Sequence, residues 1–338
     1  MKILGIETSC DETSASIVEN TTSYETVKIL SNVVTSSLAL HSKTGGIVPE
    51  VAAREQVKYI IPVIDKALHS VESINAIAVT VGPGLIGSLL VGVETAKTLA
   101  YVWKKPIIPV NHLIGHIYAN FIGEISNDSI PNFPSLALIV SGGHTDLVLM
   151  KNHGKIKWLG GTRDDAAGEA FDKIGRLLEL PYPGGPSTEE AAKKGDPKAF
   201  NFPRPMIDSD DFDFSFSGLK TAVLREFKAM KQLNNETIAD LAASVQEAIV
   251  DVLVSKTLNA AQKYKVKSIL LSGGVAANQA LRNRFKLEIG NWKLEIPFFV
   301  PEKWLCTDNA AMIATAAFFN YKPVHWSRVA TDPELYFD

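Results

Sequence analysis

Apolar and polar positions along this chain alternate between two registers. Lys2–Ile6, Ser14–Val18 and Ser31–Thr35 are apolar or alternating runs of strand length, the first two joined by the polar turn Glu7-Thr8-Ser9-Cys10-Asp11-Glu12-Thr13. From about Val48 to His69, the apolar residues Val51, Val57, Ile60, Ile61 and Ile64 fall near helical spacing and predict a helix. An apolar strand at Ala76–Val81, the turn Gly82-Pro83-Gly84, a helix from Ile86 to Trp103 and a short strand at Pro106–Val110 follow. Strand and helix patterns that alternate in this way predict an α/β fold with a substantially parallel sheet.

The second half repeats the opening. Leu136–Val140 predicts a strand, Ser141-Gly142-Gly143-His144-Thr145 a polar turn, and Asp146–Met150 a returning strand. Ser268 to Asn278 mirrors Ala76–Gly87, each being strand, glycine turn and helix. Before it lies a long amphipathic helix, opened by Thr237 with Asp240 three residues on, whose stripe of Ile238, Leu241, Val245, Ile249, Val252 and Leu253 predicts core. Asp164 to Thr221 is less regular and rich in Gly, Pro and aromatics, the composition of binding surfaces. At 338 residues the chain exceeds the usual ~100–200 per domain. The expected division is an N-terminal lobe 1–132, a C-terminal lobe 133–310 with an irregular insert at about 164–221, and a C-terminal helix and tail 311–338 packing back on the first lobe.

Composition narrows the class. With 46% hydrophobic and 21% charged residues the chain reads as an ordinary globular protein with enough apolar side chains for a sizeable core. The stretch Met1–Glu7 has one basic residue and an apolar run cut by an acid, which predicts a first strand rather than a signal peptide. No apolar run approaches a membrane span. Two cysteines, Cys10 and Cys306, point to a reducing, cytoplasmic setting. The net charge of −3 gives no global sign of nucleic-acid binding, so any RNA contact is local. Basic clusters at Lys193-Lys194, Lys263/Lys265/Lys267 and Arg282/Arg284/Lys286 read first as solvated helix faces.

The candidate chemistry starts at His112-Leu113-Ile114-Gly115-His116, which follows a strand and has Asn111 as a prospective helix cap. Spacing i, i+4 places both imidazoles on one helix face, where they can share a divalent transition metal; two unrelated histidines are the plain alternative. His41, His69, His144, His153 and His325 have no such partner, although His144 sits in a glycine turn within reach of a ligand. The favoured third ligand is Asp308, just before the apolar helix Ala310–Phe319, with helix capping as its competing role and Cys306 as an alternative thiolate. The turns Gly82-Pro83-Gly84, Ser141-Gly142-Gly143 and Ser272-Gly273-Gly274 offer backbone N–H groups to phosphate oxygens, or are simply tight turns. Neither a Walker P-loop nor a GxGxxG fingerprint is present. Asp11 and Glu12 in the first turn are candidates for proton transfer or a phosphate-bridging metal. On the predicted helix near Ala166–Lys173, Asp172 is placed to hold a ribose or to stand exposed.

Taken together these residues resemble the tRNA N6-adenosine threonylcarbamoyltransferase family (TsaD), formerly called O-sialoglycoprotein endopeptidase. The resemblance runs from Met1 to Asp332 through GIETSCDET, GGIVPEVAAR, GPGLIGSLLVG, HLIGH, LIVSGGHTDL, DDAAGEAFDKIGRLL, YPGGP, FPRPM, DFSFSGLKTA, SGGVAANQALR and CTDNAAMIA. It implies the actin-like, sugar-kinase and heat-shock-chaperone ATPase superfold, with duplicated lobes and a nucleotide cleft. It implies His112, His116 and Asp308 as ligands of one divalent metal, usually iron with zinc also seen, and Ser141 as a further oxygen donor. Ile139, Val140, Ser141, Gly142, Gly143, Asp172, Gly185 and Asn278 match the family's substrate and nucleotide positions (threonylcarbamoyl-AMP, or ATP, ADP or AMP). Two departures are Asn111, where relatives carry another histidine, and Thr188, near a position that is acidic in some relatives.

The implied reaction moves a threonylcarbamoyl group from threonylcarbamoyl-AMP to N6 of the adenosine adjacent to the anticodon in tRNAs reading ANN codons, which is t6A biosynthesis. Implied partners are a degenerate TsaB-like paralogue and a small TsaE-like ATPase, with no membrane. Three other readings compete. A metalloendopeptidase shares paired histidines, but Leu113 occupies the position of the glutamate that an HExxH enzyme needs. An ATPase or kinase of the same superfold has little use for imidazole ligands. A pure binding subunit of a larger assembly is the third.

Overall fold

Strands whose side chains are nearly all buried and mostly apolar belong in the middle of a covered sheet, and both sheets of this protein are organised around such strands. A computed structural model describes all residues except 21–26, 43, 70, 72, 124–129, 231–233 and 338, so the last residue of the expected tail lies outside the described residues. In chain order the elements begin β1 (Lys2–Glu7), β2 (Glu12–Glu19), β3 (Lys28–Ser36), α1 (Leu38–His41), α2 (Pro49–Leu68), β4 (Ala76–Gly82), α3 (Ile86–Trp103), β5 (Ile107–Asn111) and α4 (His112–Tyr118). There follow β6 (Ser135–Val140), β7 (Thr145–Asn152), β8 (Lys155–Gly161), α5 (Ala167–Leu177), α6 (Gly184–Ala192), α7 (Ser217–Ala229), α8 (Asn235–Tyr264), β9 (Ser268–Ser272), α9 (Gln279–Asn291), β10 (Phe298–Phe299), α10 (Lys303–Cys306) and α11 (Ala310–Phe319).

The chain divides into two units: Met1–Pro131 together with Pro301–Asp338, and Asn132–Val300. This corrects the expected boundary at 310, because residues 301–310, including Asp308, belong to the first unit. The reason is α11, whose residues Ala310 to Ala317 are all buried and which packs against β1, β2 and α4. A helix apolar on every side needs cover all round, and the first sheet supplies it.

In the first unit the strand order is β3-β2-β1-β4-β5. β1, β2 and β3 run antiparallel, and β4 runs parallel to both β1 and β5. Leu4 and Ile6 of β1 join Ile60, Val63 and Ile64 of α2 and Val93 of α3 in one apolar core. Side chains alternate along a strand, so Gly5 faces the other side, toward α11. A Cβ there would collide with the carbonyl oxygen of Ala310.

The second unit repeats this topology with order β10-β9-β6-β7-β8, antiparallel through β6, β7 and β8 and parallel through β6, β9 and β10. Position by position, β1 to β5 correspond to β6 to β10, which is the duplication expected of the actin-like superfold. Local readings differ in four places. β8 was not predicted, since Lys155-Ile156-Lys157-Trp158 carries half-exposed polar residues of an edge strand. Within the irregular stretch the structure forms α6 and α7. Helix α8 is capped by Asn234, whose side chain accepts from Thr237 N at 2.7 Å, so Thr237 is inside the helix rather than its cap. Glu12 lies on β2, leaving the first turn to Thr8–Asp11. No helix among the described residues is long and apolar enough to cross a membrane.

Candidate metal centre

All three residues of the candidate centre lie in the first unit. Asn111 ends β5 and caps α4, its Oδ1 accepting from Leu113 N at 2.8 Å and Ile114 N at 3.2 Å. One turn of helix then brings His112 and His116 together, with ring centroids 4.6 Å apart and planes at 80°. The third residue arrives from α11. Asn309, not Asp308, caps that helix, its Oδ1 accepting from Met312 N at 3.1 Å. Ala310 N donates to Ser14 Oγ of β2 at 2.9 Å, which fixes the start of the helix against the sheet. Asp308 is therefore relieved of the capping role and points at the histidines.

Asp308 Oδ1 stands 3.2 Å from His116 Nε2 and 3.5 Å from His112 Nε2. One ligand atom from each residue lies within 4.8 Å of the other two. Nitrogen and oxygen ligands ~2.0–2.2 Å from a shared ion sit roughly 3–3.5 Å from one another, so the spacing suits a single divalent cation. Burial strengthens the fit: His116 is 1% exposed, and apart from the Asp308 carboxylate beside Nε2 its ring nitrogens have no hydrogen-bond partner among the described residues. A buried imidazole nitrogen left so is costly, and an ion at Nε2 would satisfy that nitrogen, leaving Nδ1 as it is.

Behind His112 lies Glu7, which sequence reasoning missed. It is fully buried at the end of β1, where its carboxylate accepts from Ser9 N (2.5 Å), Thr80 Oγ1 (2.6 Å) and His112 Nδ1 (3.0 Å). Ser9 Oγ lies 3.1 Å from the same Nδ1. Nδ1 thus carries the proton toward Glu7, and Nε2 is turned to Asp308, the arrangement that orients metal-binding histidines. The available signal was an acid interrupting the apolar run Lys2–Ile6. Burial opposes the charged imidazole, but the Asp308 and Glu7 carboxylates outweigh it and push His112 up to about 9.

Acidic groups accumulate around this centre. Burial first, then Asp308 and Asp11, raises the Glu12 carboxyl well above the usual carboxylate range. Cys10 is raised likewise by burial, then by Asp308, Asp11 and Glu12, so its thiol keeps its proton. Ser36 Oγ donates to Asp11 Oδ2 at 3.3 Å and lies 3.4 Å from Glu12 Oε1. Gln56, another residue the sequence did not reveal, shapes the turn by donating to the carbonyls of Cys10 and Glu12 at 3.0 Å each. Cys306 is buried with its thiol against the carbonyls of Pro301 and Glu302, so the cluster is closed by Asp308 and not by that thiolate. Leu113 is fully buried, and no glutamate stands in its place.

The residues matched to nucleotide positions belong to the second unit, where hydrogen bonds tie several of them to neighbouring elements. Ile139 and Val140 are buried in β6, so only their backbones can face a ligand. Ser141 and His144 close the turn, Ser141 N donating to His144 O at 2.8 Å and His144 N to Ser141 Oγ at 3.0 Å. Gly142 and Gly143 at its tip are exposed, with open space where a Cβ would stand. Gly168 N donates to Ser141 O at 3.2 Å, joining α5 to the turn. Asp172 is not a plain exposed acid: its Oδ1 accepts from Gly184 N (2.7 Å) and Gly185 N (3.3 Å) at the start of α6, and burial lifts its carboxyl. Asn278 caps α9 through Leu281 N and donates to Gln246 Oε1 at 2.8 Å. Thr188 is fully buried, while its neighbour Glu189 accepts from Gln279 N. The turn Gly82-Pro83-Gly84 is otherwise engaged, since Gly84 N donates to Pro333 O and Leu85 N to Ser9 O. In the basic clusters, Arg284 pairs with Glu247 and Asp251, and Lys193 pairs with Glu190.

Duplicated sheets and a buried histidine–carboxylate cluster define an α/β enzyme of the actin-like superfold. The sequence model of the TsaD family, tRNA N6-adenosine threonylcarbamoyltransferase, matches residues 28–315, and the chain belongs to that family. Proteins of that name from Syntrophomonas wolfei and Dehalococcoides mccartyi are similar to it. The first is 50% identical over 323 residues, covering 94% of this chain and 92% of the relative. The second is 52% identical over 325 residues, covering 95% and 94%. Among solved structures, full-length HypF in a phosphate- and nucleotide-bound form has a TM-score of 0.58 at 10% identity, covering 94% of this chain and 55% of that one. HypF of T. kodakarensis has a TM-score of 0.61 at 13% identity, covering 94% and 47%. This chain spans about half the length of either HypF, and the likeness concerns the fold alone.

Proposed function

We propose that this chain transfers a threonylcarbamoyl group to N6 of the adenosine adjacent to the anticodon in tRNAs reading ANN codons, with His112, His116 and Asp308 holding one Fe2+ or Zn2+ ion. Relatives about half identical over nearly the whole chain support the reaction. The single observation that supports the ion is the buried convergence of two Nε2 atoms and one carboxylate, with His116 otherwise unpartnered. Two imidazoles and one carboxylate suit either metal and leave coordination positions open.

The donor in this reading is threonylcarbamoyl-AMP, a mixed anhydride. The N6 amine forms a C–N bond to the carbamoyl carbon, the bond from that carbon to the phosphate oxygen breaks, AMP leaves with the electron pair, and the amine loses one proton. When bound, the ion supplies Lewis acidity and a template for the donor's oxygens. Glu7 and Ser9 hold His112 in position, and the exposed turn at Gly142-Gly143 offers backbone N–H groups suited to the AMP part, whereas the N–H groups of Gly184 and Gly185 are taken by Asp172. Asp11 and Glu12 are the candidates to take the proton. Burial first, then Asp308 and Asp11, raises the Glu12 carboxyl, and a cation nearby would oppose that rise. A TsaB-like paralogue and a TsaE-like ATPase are the expected partners, and the cytoplasm, where tRNA is modified, is the expected setting.

The test supplies preformed threonylcarbamoyl-AMP and unmodified tRNA to the purified chain, with and without those partners, and measures metal by elemental analysis. His112→Ala and Asp308→Ala are expected to lose both the ion and transfer. Undiminished iron or zinc in both variants would sink the assignment of the ion; modified tRNA in the absence of this chain would sink the reaction.

A further inference from the structure

The C-terminal segment is the part of the first unit that the proposed function leaves unused, yet it is bonded to the candidate centre's supports. Val324 bridges to Ile107 at the start of β5. From there the chain travels to the opposite end of the same sheet, where Asp332 N donates to Val81 O at 2.7 Å and Gly84 N donates to Pro333 O at 3.2 Å. Gly82 permits this approach, since a Cβ there would collide with the carbonyl oxygen of Asp332. Leu335 packs on the apolar core under the sheet, and Asn111 Nδ2 donates to Tyr336 O at 2.8 Å.

Two links run from this segment to His112. The first is Asn111, whose side-chain amide is held at both ends: Oδ1 caps α4, and Nδ2 is taken by Tyr336 O. Helix α4 has only seven residues, too few to be stable by itself, so its first turn depends on that cap. An amide released by Tyr336 is free to rotate away from the helix. The second link is the turn Gly82–Gly84. It is tied to Pro333 on one side and, through Leu85 N donating to Ser9 O at 2.8 Å, to the residue whose Oγ lies 3.1 Å from His112 Nδ1.

We propose that residues 332–336 form a positioning strap for His112, anchored at Asp332 and Pro333 and acting through the Tyr336–Asn111 bond to keep Nε2 aimed at Asp308. This inference rests on the metal reading for one of its two measurements, and the other is independent of it.

The experiment compares the full chain with a chain ending at Leu335, with Asn111→Ser, which keeps an oxygen to cap α4 but lacks the amide donor, and with the two combined. Exposed Glu334→Ala serves as a control that leaves both links in place. Zn2+ affinity is measured by competition with a chromogenic chelator, amide exchange at Leu113 and Ile114 is measured in metal-free protein, and thermal midpoints are recorded. The shortened chain and Asn111→Ser should each bind Zn2+ about tenfold more weakly, as for other partners that orient a ligand. Both should exchange faster at those amides with midpoints within a few degrees of the full chain. Because they break one link, the combination should be no worse than Asn111→Ser alone. Full-chain affinity and exchange in the shortened chain would overturn the strap; should that chain fail to fold, Asn111→Ser decides by the same two readings. If Asp308→Ala binds Zn2+ as tightly as the full chain, the metal reading fails, and exchange at Leu113 and Ile114 alone judges the strap.

Discussion

Glu7 shows how a single buried carboxylate can organise a candidate metal centre without being one of its candidate ligands. It is satisfied by Ser9, Thr80 and His112, so it fixes which nitrogen of His112 carries the proton. Glu7→Gln keeps the shape but removes the charge, and it is expected to weaken Zn2+ binding by roughly 10–100-fold in chelator competition. Unchanged affinity would assign Glu7 to packing alone. A pH effect follows from His112, whose folded value of about 9 lies above the ordinary 6.5. A raised value stabilises the metal-free fold fully below pH 6.5, and that contribution disappears as pH rises through 9. Thermal midpoints of metal-free protein should therefore fall across this window. Because the ion must displace the His112 proton, apparent Zn2+ affinity should climb by about tenfold per pH unit up to the same limit and then level off. A flat affinity profile below pH 9 would contradict the charge state assigned here.

At the scale of elements, the centre is a meeting of two helix starts on one sheet. Asn111 and Asn309 cap α4 and α11, and each cap stands beside a candidate ligand. The Asn111 cap was local and readable, since it preceded an apolar-periodic stretch in the sequence, whereas the sequence offered Asp308 both as ligand and as cap, and only geometry gave the cap to Asn309. The approach of α11 to β1 depends on Gly5, because its neighbour across the gap is the Ala310 carbonyl, two residues after Asp308. Gly5→Ala is expected to cost roughly 1–3 kcal/mol in denaturant unfolding, the usual range for overpacking, and to weaken metal binding as α11 shifts. A variant with unaltered stability would mean that the helix can retreat without strain.

The whole molecule joins two units of one topology, but only the second is continuous in sequence. A fragment of residues 132–300 contains both halves of its own sheet and the helices that cover it, and should unfold in a single cooperative transition followed by circular dichroism. A fragment of residues 1–131 lacks α11, leaving one side of β1 and β2 bare, and lacks the candidate ligand Asp308. It should neither unfold cooperatively nor bind Zn2+; cooperative unfolding of that fragment would show that α11 is dispensable to the first unit.

Much of this protein was legible along the chain, because strand and helix periodicities are local properties and a duplicated topology writes the same pattern twice. The helix Ile86–Trp103, the capping by Asn111 and the histidine pair were all of that kind. Tertiary structure alone decided matters that depend on residues distant in sequence. Glu7 reached His112 across 105 positions, Gln56 reached the first turn through three carbonyls, and the C-terminal segment took the N–H of Gly84 that the sequence had offered to phosphate. It also returned Asp308 to the first unit, since an all-apolar helix settles where burial is greatest, and hydrophobic burial has no sequence direction.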